Sequence, residues 1–364
     1  MKFFENISLK PYNTFGIDVK ARRLVVLEPG DEVPLLGGDV LVIGAGSNMV
    51  FTKDYDGTVL ILKGEEVRMD GVSVRAWGGM VMDNLIQWTL DHGLYGLENL
   101  SAIPGTVGAS AVQNVGAYGA EAKDFIERME AYDLQERRLC TFSNADCQFA
   151  YRDSFFKHHP NRYLILYVTY SLKTTFSPNL SYKALEGLPH DTARQLREAI
   201  TDLRWSKLPR PEEHGSAGSF FKNPVVDETT YRRLKDEYPD MPEAHSLPAS
   251  GGNPVNLGNR LDKISQDFDG PDKSWKSKEN LQDFHDFADR RENWYYKLSA
   301  GWLIDKAGWK GRKQGKAGVW PKNALVLYNA DGCTGEEVRA LAQAIQQDVK
   351  QKFGVALDPE AIII

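Results

Sequence analysis

Short apolar runs separated by turn residues dominate the first part of this chain. Residues 23–28, 40–43, 58–62 and 72–76 are rich in Val, Leu and Ile, and Gly and Asp lie between them. Runs of this length and composition are typical of β-strands bounded by turns. The pattern therefore predicts a strand-rich N-terminal region.

A helical pattern follows these strands. Met82, Leu85, Ile86 and Leu90 recur at helical spacing, and Gly93 comes directly after them. This spacing indicates an amphipathic helix that packs on the sheet and ends at a left-handed glycine.

The rest of the chain mixes both patterns. Strands are predicted at 128–134 and 163–172, and a helix is predicted near 192–203 with Leu196 and Ile200 on one face. Thr334 precedes Glu337 with the spacing of a capping box. A final helix follows, and its apolar face holds Val338, Leu341, Ile345 and Val349 before Gly354. The predicted fold class is α+β.

Length and composition indicate a globular protein of two or three domains. The 364 residues exceed the roughly 250 to 300 at which a single core stops growing. Hydrophobic residues make up 42% and charged residues 26%, so the chain can bury a core. Residues 248–293 are polar and weakly periodic, and we expect a surface insertion there.

Charge and cysteine content exclude several classes of protein. A net charge of -6 argues against a general nucleic-acid binder, although a local basic pocket is compatible with it. No signal-peptide core or run of about 18 apolar residues is present, so we expect no membrane insertion. Three cysteines without a metal-like pair favour a reducing compartment, predict no metal site and place the protein in the cytoplasm.

The first chemical signal is the glycine-rich turn GAGSN at residues 44–48, which follows the predicted strand at 40–43. Backbone N–H groups in such a turn can bind a diphosphate. The signal is weak alone, because Met49 stands where a dinucleotide fingerprint has its third glycine. A tight strand turn without a ligand is an equal alternative.

The second signal is the segment 93–119, in which six glycines punctuate GLYGLENLSAIPGTVGASAVQNVGAYG. Small residues would let such a loop lie backbone-first against a flat cofactor. The alternative is an irregular loop that packs on the core.

Taken together, these segments resemble the flavin-binding segments of the UDP-N-acetylenolpyruvoylglucosamine reductases, which have a vanillyl-alcohol-oxidase-like (PCMH-type) FAD-binding fold. The resemblance covers almost the whole chain except 248–293. It continues in order through NTFG at 13–16, YRDS at 151–154, LSYKALEG at 180–187, SKLP at 206–209, AGSFFKNP at 217–224, SAGWLID at 299–305 and LDPE at 357–360. The tyrosine in LSYKALEG matches the longer subgroup of this family.

The resemblance implies a fold of two FAD-binding lobes and a C-terminal α+β substrate-binding domain. We expect the first lobe at 1–63 with 355–364, the second lobe at 64–205, and the substrate domain at 206–354. The site is expected where these three regions meet.

The resemblance also implies a reaction: NADPH reduces non-covalent FAD, which then reduces UDP-N-acetylglucosamine enolpyruvate to UDP-N-acetylmuramate for the bacterial cell wall. Arg152 would stabilise the enolate, Ser219 would donate the proton, and Glu360 would assist as the third catalytic residue. Without the resemblance, these residues suit a structural ion pair, a turn and a helix start or solvated tail.

The remaining assignments are also those that the resemblance implies. We expect a monomer that binds a small nucleotide-sugar substrate. The substrate-binding candidates are Tyr182, Lys207, Asn223 and Asn323. The cofactor-binding candidates are Gly44, Ala45, Gly46, Ser47, Asn48, Ile103, Pro104, Gly105, Gly108, Ala109, Asn114, Gly116, Ala117, Tyr118, Gly119 and Arg152.

Two alternatives remain at this point. One is a flavin enzyme with the same fold and a different small substrate, against which AGSFFKNP and LDPE argue. The other is a catalytically silent FAD-binding module, in which Trp275 and Phe284 of the insertion would contact a partner. A functionless loop is the simpler interpretation of that insertion.

Overall fold

The computed structural model describes residues 1–248 and 294–364. The predicted insertion, with Trp275 and Phe284, therefore lies outside the described residues apart from its first position. The chain forms two compact units. Met1–Phe220, Lys310–Ala342 and Glu360–Ile364 make up the first unit, and Phe221–Trp309 and Gln343–Pro359 make up the second. Described strands and helices are numbered in chain order below.

The first unit opens with a mixed four-stranded sheet. Its strands, in spatial order, are β1 (Lys2–Ser8), β2 (Lys20–Leu27), β5 (Tyr55–Leu62) and β3 (Val40–Ile43). The β1 and β2 strands are antiparallel, whereas β2, β5 and β3 run parallel. The strands predicted at 23–28, 40–43 and 58–62 are thus confirmed, and their apolar runs form the buried part of the sheet.

A second sheet is entirely antiparallel. Its strands, in spatial order, are β11 (Arg138–Ser143), β10 (Ile126–Asp133), β12 (Tyr163–Ser171), β7 (Ser73–Trp77) and β6 (Val67–Asp70). Helices α1 (Met82–Asp91) and α2 (Val107–Val112) share a buried core with this sheet. The predicted apolar face of α1 is buried, and Gly93 follows the helix with φ +68°, as expected.

The first unit also contains shorter ladders. The third sheet has the order β13 (Ser216–Ser219), β19 (Val326–Asn329), β18 (Ala317–Val319) and β17 (Lys313–Gln314). Two pairs are separate: β8 (Gly116–Ala117) with β9 (Ala120–Glu121), and β20 (Ile362–Ile363) with β4 (Met49–Val50). Single 3-10 turns occupy Lys10–Tyr12, Glu98–Leu100, Ala122–Asp124, Phe155–His158 and Lys183–Leu185.

The predicted helix near 192–203 is α3 (Ala193–Lys207), and Thr192 and Gln195 cap its start reciprocally.

The second unit has the strand order β14 (Val225–Asp227), β16 (Trp294–Lys297) and β15 (His245–Pro248), with helices α4 (Glu228–Glu237) and α5 (Ala300–Lys306). The last predicted helix is α6 (Gly335–Phe353). Thr334 Oγ1 accepts from the Glu337 N–H at 3.2 Å, which confirms the capping box.

One expectation was wrong in detail. Segment 93–119 is not a continuous loop, because it contains α2. Thr106 begins this helix, and its hydroxyl accepts a hydrogen bond from the Ala109 N–H at 3.3 Å. Six residues with a glycine at the second position give little periodic signal, whereas the threonine cap and tertiary packing stabilise the turn.

Candidate functional site

The glycine-rich turn at 44–48 follows β3 and lies close to two other segments. A Cβ on Gly46 would lie 2.1 Å from the Tyr12 carbonyl oxygen, and Gly46 has φ +64°. A Cβ on Gly44 would lie 2.7 Å from Ala109 Cβ and 2.8 Å from Thr106 Oγ1. Only glycine fits these two positions without displacement of a neighbour.

This turn leaves hydrogen-bond donors available to a ligand. Among the described residues, no protein acceptor takes a hydrogen bond from the backbone N–H groups of Ala45, Gly46, Ser47 or Asn48. The Ser47 hydroxyl donates to the Pro104 carbonyl at 2.8 Å, which joins the turn to the second glycine-rich segment. Free backbone donors at the end of a strand fit the diphosphate of a dinucleotide.

Two adjoining cavities of the first unit meet at this turn. The first lies among the turn, α2 and β12, and the second extends towards the predicted catalytic residues. Both cavities are lined by Ser47, Asn48, Ala109 and Gln113. The second is also lined by Ile103, Pro104, Gly105, Gly116, Arg152, Ser216, Ser219 and Glu360. An elongated cleft of this kind suits a long, partly flat cofactor beside a second ligand.

Arg152 occupies a tight turn in this cleft. Ala150 and Asp153 exchange two backbone hydrogen bonds of 3.0 and 3.1 Å around Tyr151 and Arg152. Arg152 adopts φ +55°, which is uncommon for a residue with a side chain, and the Lys157 ammonium donates to its carbonyl at 2.8 Å. The turn thus fixes the main-chain position from which the Arg152 side chain extends.

The Arg152 guanidinium contacts Gly116 and Glu360. Nη2 donates to the Gly116 carbonyl at 2.7 Å, and Nε lies 2.9 Å from Glu360 Oε1. The Nε contact is an ion pair with poor hydrogen-bond alignment, so this buried donor has no hydrogen-bond acceptor among the described residues. A buried donor of this kind is suited to a carboxylate ligand, which would complete its hydrogen bonding.

Glu360 is held by its main chain and by its side chain. Its N–H donates to the Phe220 carbonyl at 2.8 Å, and its carbonyl accepts from Asn48 Nδ2 at 3.2 Å. Its carboxylate oxygen Oε1 also accepts from Gln113 Nε2 at 3.4 Å. The side chain is 13% exposed, so Glu360 is not part of a solvated tail.

Ser219 lies at the end of β13 and lines the same cavity as Arg152 and Glu360. Gly218 directly before it adopts φ +67°, and the β13–β19 register shifts between Ser216 and Ser219. Such an irregularity turns a side chain away from its regular strand direction. The structure therefore brings all three predicted catalytic residues to one cavity of the first unit.

Sequence reasoning missed Arg204 and Gln113, which line this cavity too. Burial lowers the pKa of Arg204, Tyr118 and Asp83 oppose that effect, and the positive charge of Arg152 adds to it. The cleft therefore carries two guanidinium groups. Arg204 lies three positions before Lys207 and close to the SKLP motif at 206–209. Its nearness to that motif was the sequence signal that could have identified it.

Several cofactor candidates lie away from both cavities. Ala117, Tyr118 and Gly119 line neither, and Asn114 is buried. Asn114 Nδ2 donates to Glu121 and to the Ala150 carbonyl, and its Oδ1 accepts from the Lys123 N–H. The Asn114 side chain therefore has a structural role, because both of its polar atoms already form hydrogen bonds within the protein.

The substrate candidates have varied surroundings. Tyr182 is 47% exposed, and its ring meets the Tyr118 ring edge-on at 5.4 Å. Lys207 is the exposed last residue of α3, and Asn323 closes a turn by accepting from the Leu325 N–H at 3.1 Å. In the second unit, Asn223 Oδ1 accepts from the Ala300 N–H at 3.0 Å. Neither cavity of the first unit is lined by Tyr182, Lys207 or Asn323.

Similarity to known proteins identifies the family. Curated UDP-N-acetylenolpyruvoylglucosamine reductases resemble this chain along almost its whole length. The Pseudomonas aeruginosa enzyme is 42% identical, over 98% of this chain and 97% of its own length. The chain belongs to the UDP-N-acetylenolpyruvoylglucosamine reductase family. The Burkholderia ambifaria member is 39% identical, over 98% of this chain and 95% of its own.

Domain matches agree with this family. Residues 36–139 match an FAD binding domain, and residues 210–364 match the UDP-N-acetylenolpyruvoylglucosamine reductase C-terminal domain. The chain therefore contains the FAD-binding domain that the glycine-rich turn suggested, and the turn and first cavity fit that cofactor.

The fold agrees as well. The solved UDP-N-acetylenolpyruvylglucosamine reductase from Thermus caldophilus superposes with a TM-score of 0.61. It is 19% identical and covers 100% of this chain and 98% of its own. Together with the FAD-binding domain, this confirms the predicted α+β flavoprotein fold of the PCMH type.

Two further observations concern only the described part of the chain. No helix there has the length and apolar character needed to cross a membrane. Nor do residues 1–248 and 294–364 bring three or more His, Cys, Asp or Glu side chains together as a metal site would require.

Proposed function

We propose that this chain catalyses the NADPH-dependent, FAD-mediated reduction of UDP-N-acetylglucosamine enolpyruvate to UDP-N-acetylmuramate in peptidoglycan precursor synthesis. The observation that carries the proposal is the grouping of Arg152, Ser219 and Glu360 in a cavity that adjoins the glycine-rich turn. Family membership supplies the substrate class, and the geometry supplies groups suited to its chemistry.

The cofactor would lie along the turn at 44–48 and the second glycine-rich segment. Backbone donors of Ala45 to Asn48 would bind its diphosphate, and Pro104, Gly105 and Ala109 would lie beside its flat part. When bound, FAD supplies a carrier that accepts hydride from NADPH and donates it to the vinyl carbon of the substrate.

Arg152 would stabilise the negative charge that develops on the substrate. The substrate is an enol ether conjugated to a carboxylate, so hydride addition at its methylene carbon places charge on the carboxylate-bearing side. A guanidinium is planar and suited to a carboxylate, and the buried Nε of Arg152 has no hydrogen-bond acceptor among the described residues. We assign it to the substrate carboxylate and its enolate, with Glu360 holding the guanidinium in place.

Ser219 would donate the proton that completes the reaction. Ser219 lines the cavity with Arg152 and Arg204, and their positive charges would stabilise an alkoxide at this position. The proton would pass from Oγ to the carbon that bears the carboxylate, and solvent would return a proton to the serine.

Other parts of the protein are assigned by the family resemblance. We propose that Tyr182, Lys207, Asn223 and Asn323 contact the nucleotide-sugar, and that the remaining cofactor candidates surround FAD. The proposal includes the three-lobe division at 1–63 with 355–364, 64–205 and 206–354. It also includes a monomeric state and a cytoplasmic location.

An anaerobic experiment separates the two halves of this reaction. Purified protein would be reduced with NADPH, and UDP-N-acetylglucosamine enolpyruvate would then be added while flavin absorbance near 450 nm is followed. We expect wild-type flavin to be reoxidised by the substrate. Ser219→Ala should be reduced normally and reoxidised about 10²- to 10⁴-fold more slowly.

The matched control is Ser206→Ala. The Ser206 side chain is exposed and donates to the Leu203 carbonyl of its own helix, so this variant should match wild type in both steps. Flavin that is reduced by NADPH and reoxidised only by oxygen would disprove the proposed substrate while leaving the fold intact.

A further inference from the structure

Residues from two distant segments hold the main chain around Glu360. The carbonyl of Phe220, the residue after Ser219, accepts a hydrogen bond from the Glu360 N–H at 2.8 Å. Asn48, the last residue of the glycine-rich turn, contacts the main chain on the C-terminal side of Glu360. Its side-chain amide donates to the Glu360 carbonyl at 3.2 Å, and its own carbonyl accepts the Ile362 N–H at 2.9 Å.

Strand β20 continues these contacts beyond Glu360. It pairs in parallel with β4, and the Ile364 N–H donates to the Val50 carbonyl at 2.9 Å. Thr52 donates two hydrogen bonds to the main-chain oxygen of Ile364, one from its N–H and one from its hydroxyl, each at 2.7 Å. A two-residue ladder is thus closed at its far end by a side chain.

Hydrogen bonds rather than apolar burial set the register of this short strand. Ile362 is 49% exposed and Ile363 is 37% exposed, so their side chains contribute little buried surface. A slip of one residue would move the strand by about 3.3 Å and reverse its faces. A shift of that size at Glu360 would take its carboxylate out of the position in which Oε1 lies 2.9 Å from Arg152 Nε.

We propose that Thr52 and β20 form a positioning element, which sets the Glu360 carboxylate against Arg152. This inference rests on the proposed function for its catalytic consequence. Thr52 lines neither cavity, so it acts through β20 and not by contact with a ligand. The same strand ties Glu360 to the turn at 44–48, and therefore links the acidic side chain to the flavin-binding region.

Three variants test the element. Thr52→Val removes the hydroxyl donor and keeps the shape, Thr52→Ser keeps the hydroxyl, and a chain that ends at Ala361 lacks β20. Flavin content, reduction by NADPH and reoxidation by UDP-N-acetylglucosamine enolpyruvate are measured for each. Thr52→Val should slow reoxidation about fivefold, as expected for one hydrogen bond, and Thr52→Ser should restore it. The shortened chain should be slowed about 100-fold or more. Because it also loses Ile362, which lines the first cavity, Ile362→Ala is its control, and this variant, which keeps the strand, should be slowed far less.

The proposal also predicts which properties stay unchanged. Flavin content and the rate of reduction by NADPH should remain within about twofold of wild type in both Thr52 variants. Equal losses in flavin content and in both rates would show general damage to the fold and would overturn the positioning role. Reoxidation at the wild-type rate in both Thr52→Val and the shortened chain would overturn it too.

A crystal structure of each variant gives a readout that does not depend on turnover. In the shortened chain, the Arg152 Nε to Glu360 Oε1 separation should exceed 4 Å, the usual limit for an ion pair. A separation that stays at the wild-type 2.9 Å would contradict the proposal. If wild-type flavin is not reoxidised by the substrate, the proposed function fails, and this distance alone decides whether β20 positions Glu360.

Discussion

Arg152 Nε lies 2.9 Å from Glu360 Oε1, although the two residues belong to segments far apart in sequence. The arginine starts from a left-handed turn, and the glutamate is held by Phe220 and Asn48. The main chain of each residue is thus positioned independently of the other residue. The pair is therefore preorganised, and it leaves Arg152 aimed into the cavity that Ser219 also lines.

The first prediction concerns the shape of the Arg152 guanidinium. Lysine keeps the charge but lacks the planar fork, so it cannot contact Gly116, Glu360 and a carboxylate together. Arg152→Lys should reduce the rate of flavin reoxidation by UDP-N-acetylglucosamine enolpyruvate about 10²- to 10³-fold. Stopped-flow absorbance measures this step separately from reduction by NADPH.

Arg137→Lys is the matched control for this variant. Arg137 is also a left-handed arginine, with φ +55°, but it is exposed and lines neither cavity of the site. The flavin of Arg137→Lys should be reoxidised by the substrate at the wild-type rate. Equal rates for Arg152→Lys and the control would remove Arg152 from the reaction.

The sequence predicted the regular elements well because their signals are local. Short apolar runs bounded by turn residues identified the strands at 40–43 and 58–62, and helical spacing identified helix α1. Helix α2 was missed, since Gly108 and a length of six residues weaken its pattern. Arg204 and Gln113 were missed for another reason: only tertiary packing brings them into the cleft. The roles of Arg152, Ser219 and Glu360 came from the family resemblance, because no spacing rule connects such distant positions.

The second prediction concerns Gly46. A methyl group there would lie 2.1 Å from the Tyr12 carbonyl, and the backbone would hold a side chain at φ +64°. Gly46→Ala should distort the turn at a cost of about 1–3 kcal/mol and lower the FAD content of the purified protein. The ratio of absorbance at 450 and 280 nm measures that content.

Gly37→Ala serves as the comparison. No heavy atom lies within 4 Å of a Cβ built at Gly37, and its φ lies outside the left-handed region. This variant should retain flavin. Full flavin content in Gly46→Ala would mean that the turn can open without loss of the cofactor.

The third prediction concerns the segment that carries Tyr182. Buried Asn99 donates through Nδ2 to the Tyr118 carbonyl at 2.7 Å and to the Asn179 carbonyl at 2.9 Å. Asn99→Ala would leave both carbonyls without this donor, at a cost of about 1–3 kcal/mol. Backbone amides of residues 179–186 should then exchange hydrogen faster, and KM for the nucleotide-sugar should rise.

Asn84→Ala provides the control, because Asn84 Nδ2 donates to Glu65 at an exposed position. Hydrogen exchange followed by mass spectrometry should show no change at 179–186 in this variant. If Asn99→Ala also leaves exchange unchanged, Asn99 does not hold the segment.

The fourth prediction concerns acid stability. Hydrogen bonds from Arg75 hold the pKa of Glu130 below its ordinary value of 4.5. The pKa of Glu130 is lower in the folded state than in the unfolded state. The stabilisation is therefore fully present above pH 4.5 and is lost as the pH falls through the folded-state pKa. Glu130→Gln should cost about 1 kcal/mol of unfolding free energy at pH 7.

Urea unfolding at several pH values tests this expectation. The difference between wild type and Glu130→Gln should shrink as pH falls below 4.5. The comparison variant Glu127→Gln removes a more exposed ion pair, with Arg128, and should have little effect at any pH. A difference that stays constant with pH would rule out the Arg75 pair as its source.

The parallel pairing of β20 with β4 also affects how the protein is made. During synthesis the glycine-rich turn at 44–48 leaves the ribosome long before residues 360–364 do. Asn48, Val50 and Thr52 therefore have no partners in β20 until residues 360–364 have been synthesised. The pairing of Arg152 with Glu360 can form only after residue 360 has been synthesised. The order of synthesis therefore makes this contact one of the later ones to form, after both glycine-rich segments are present.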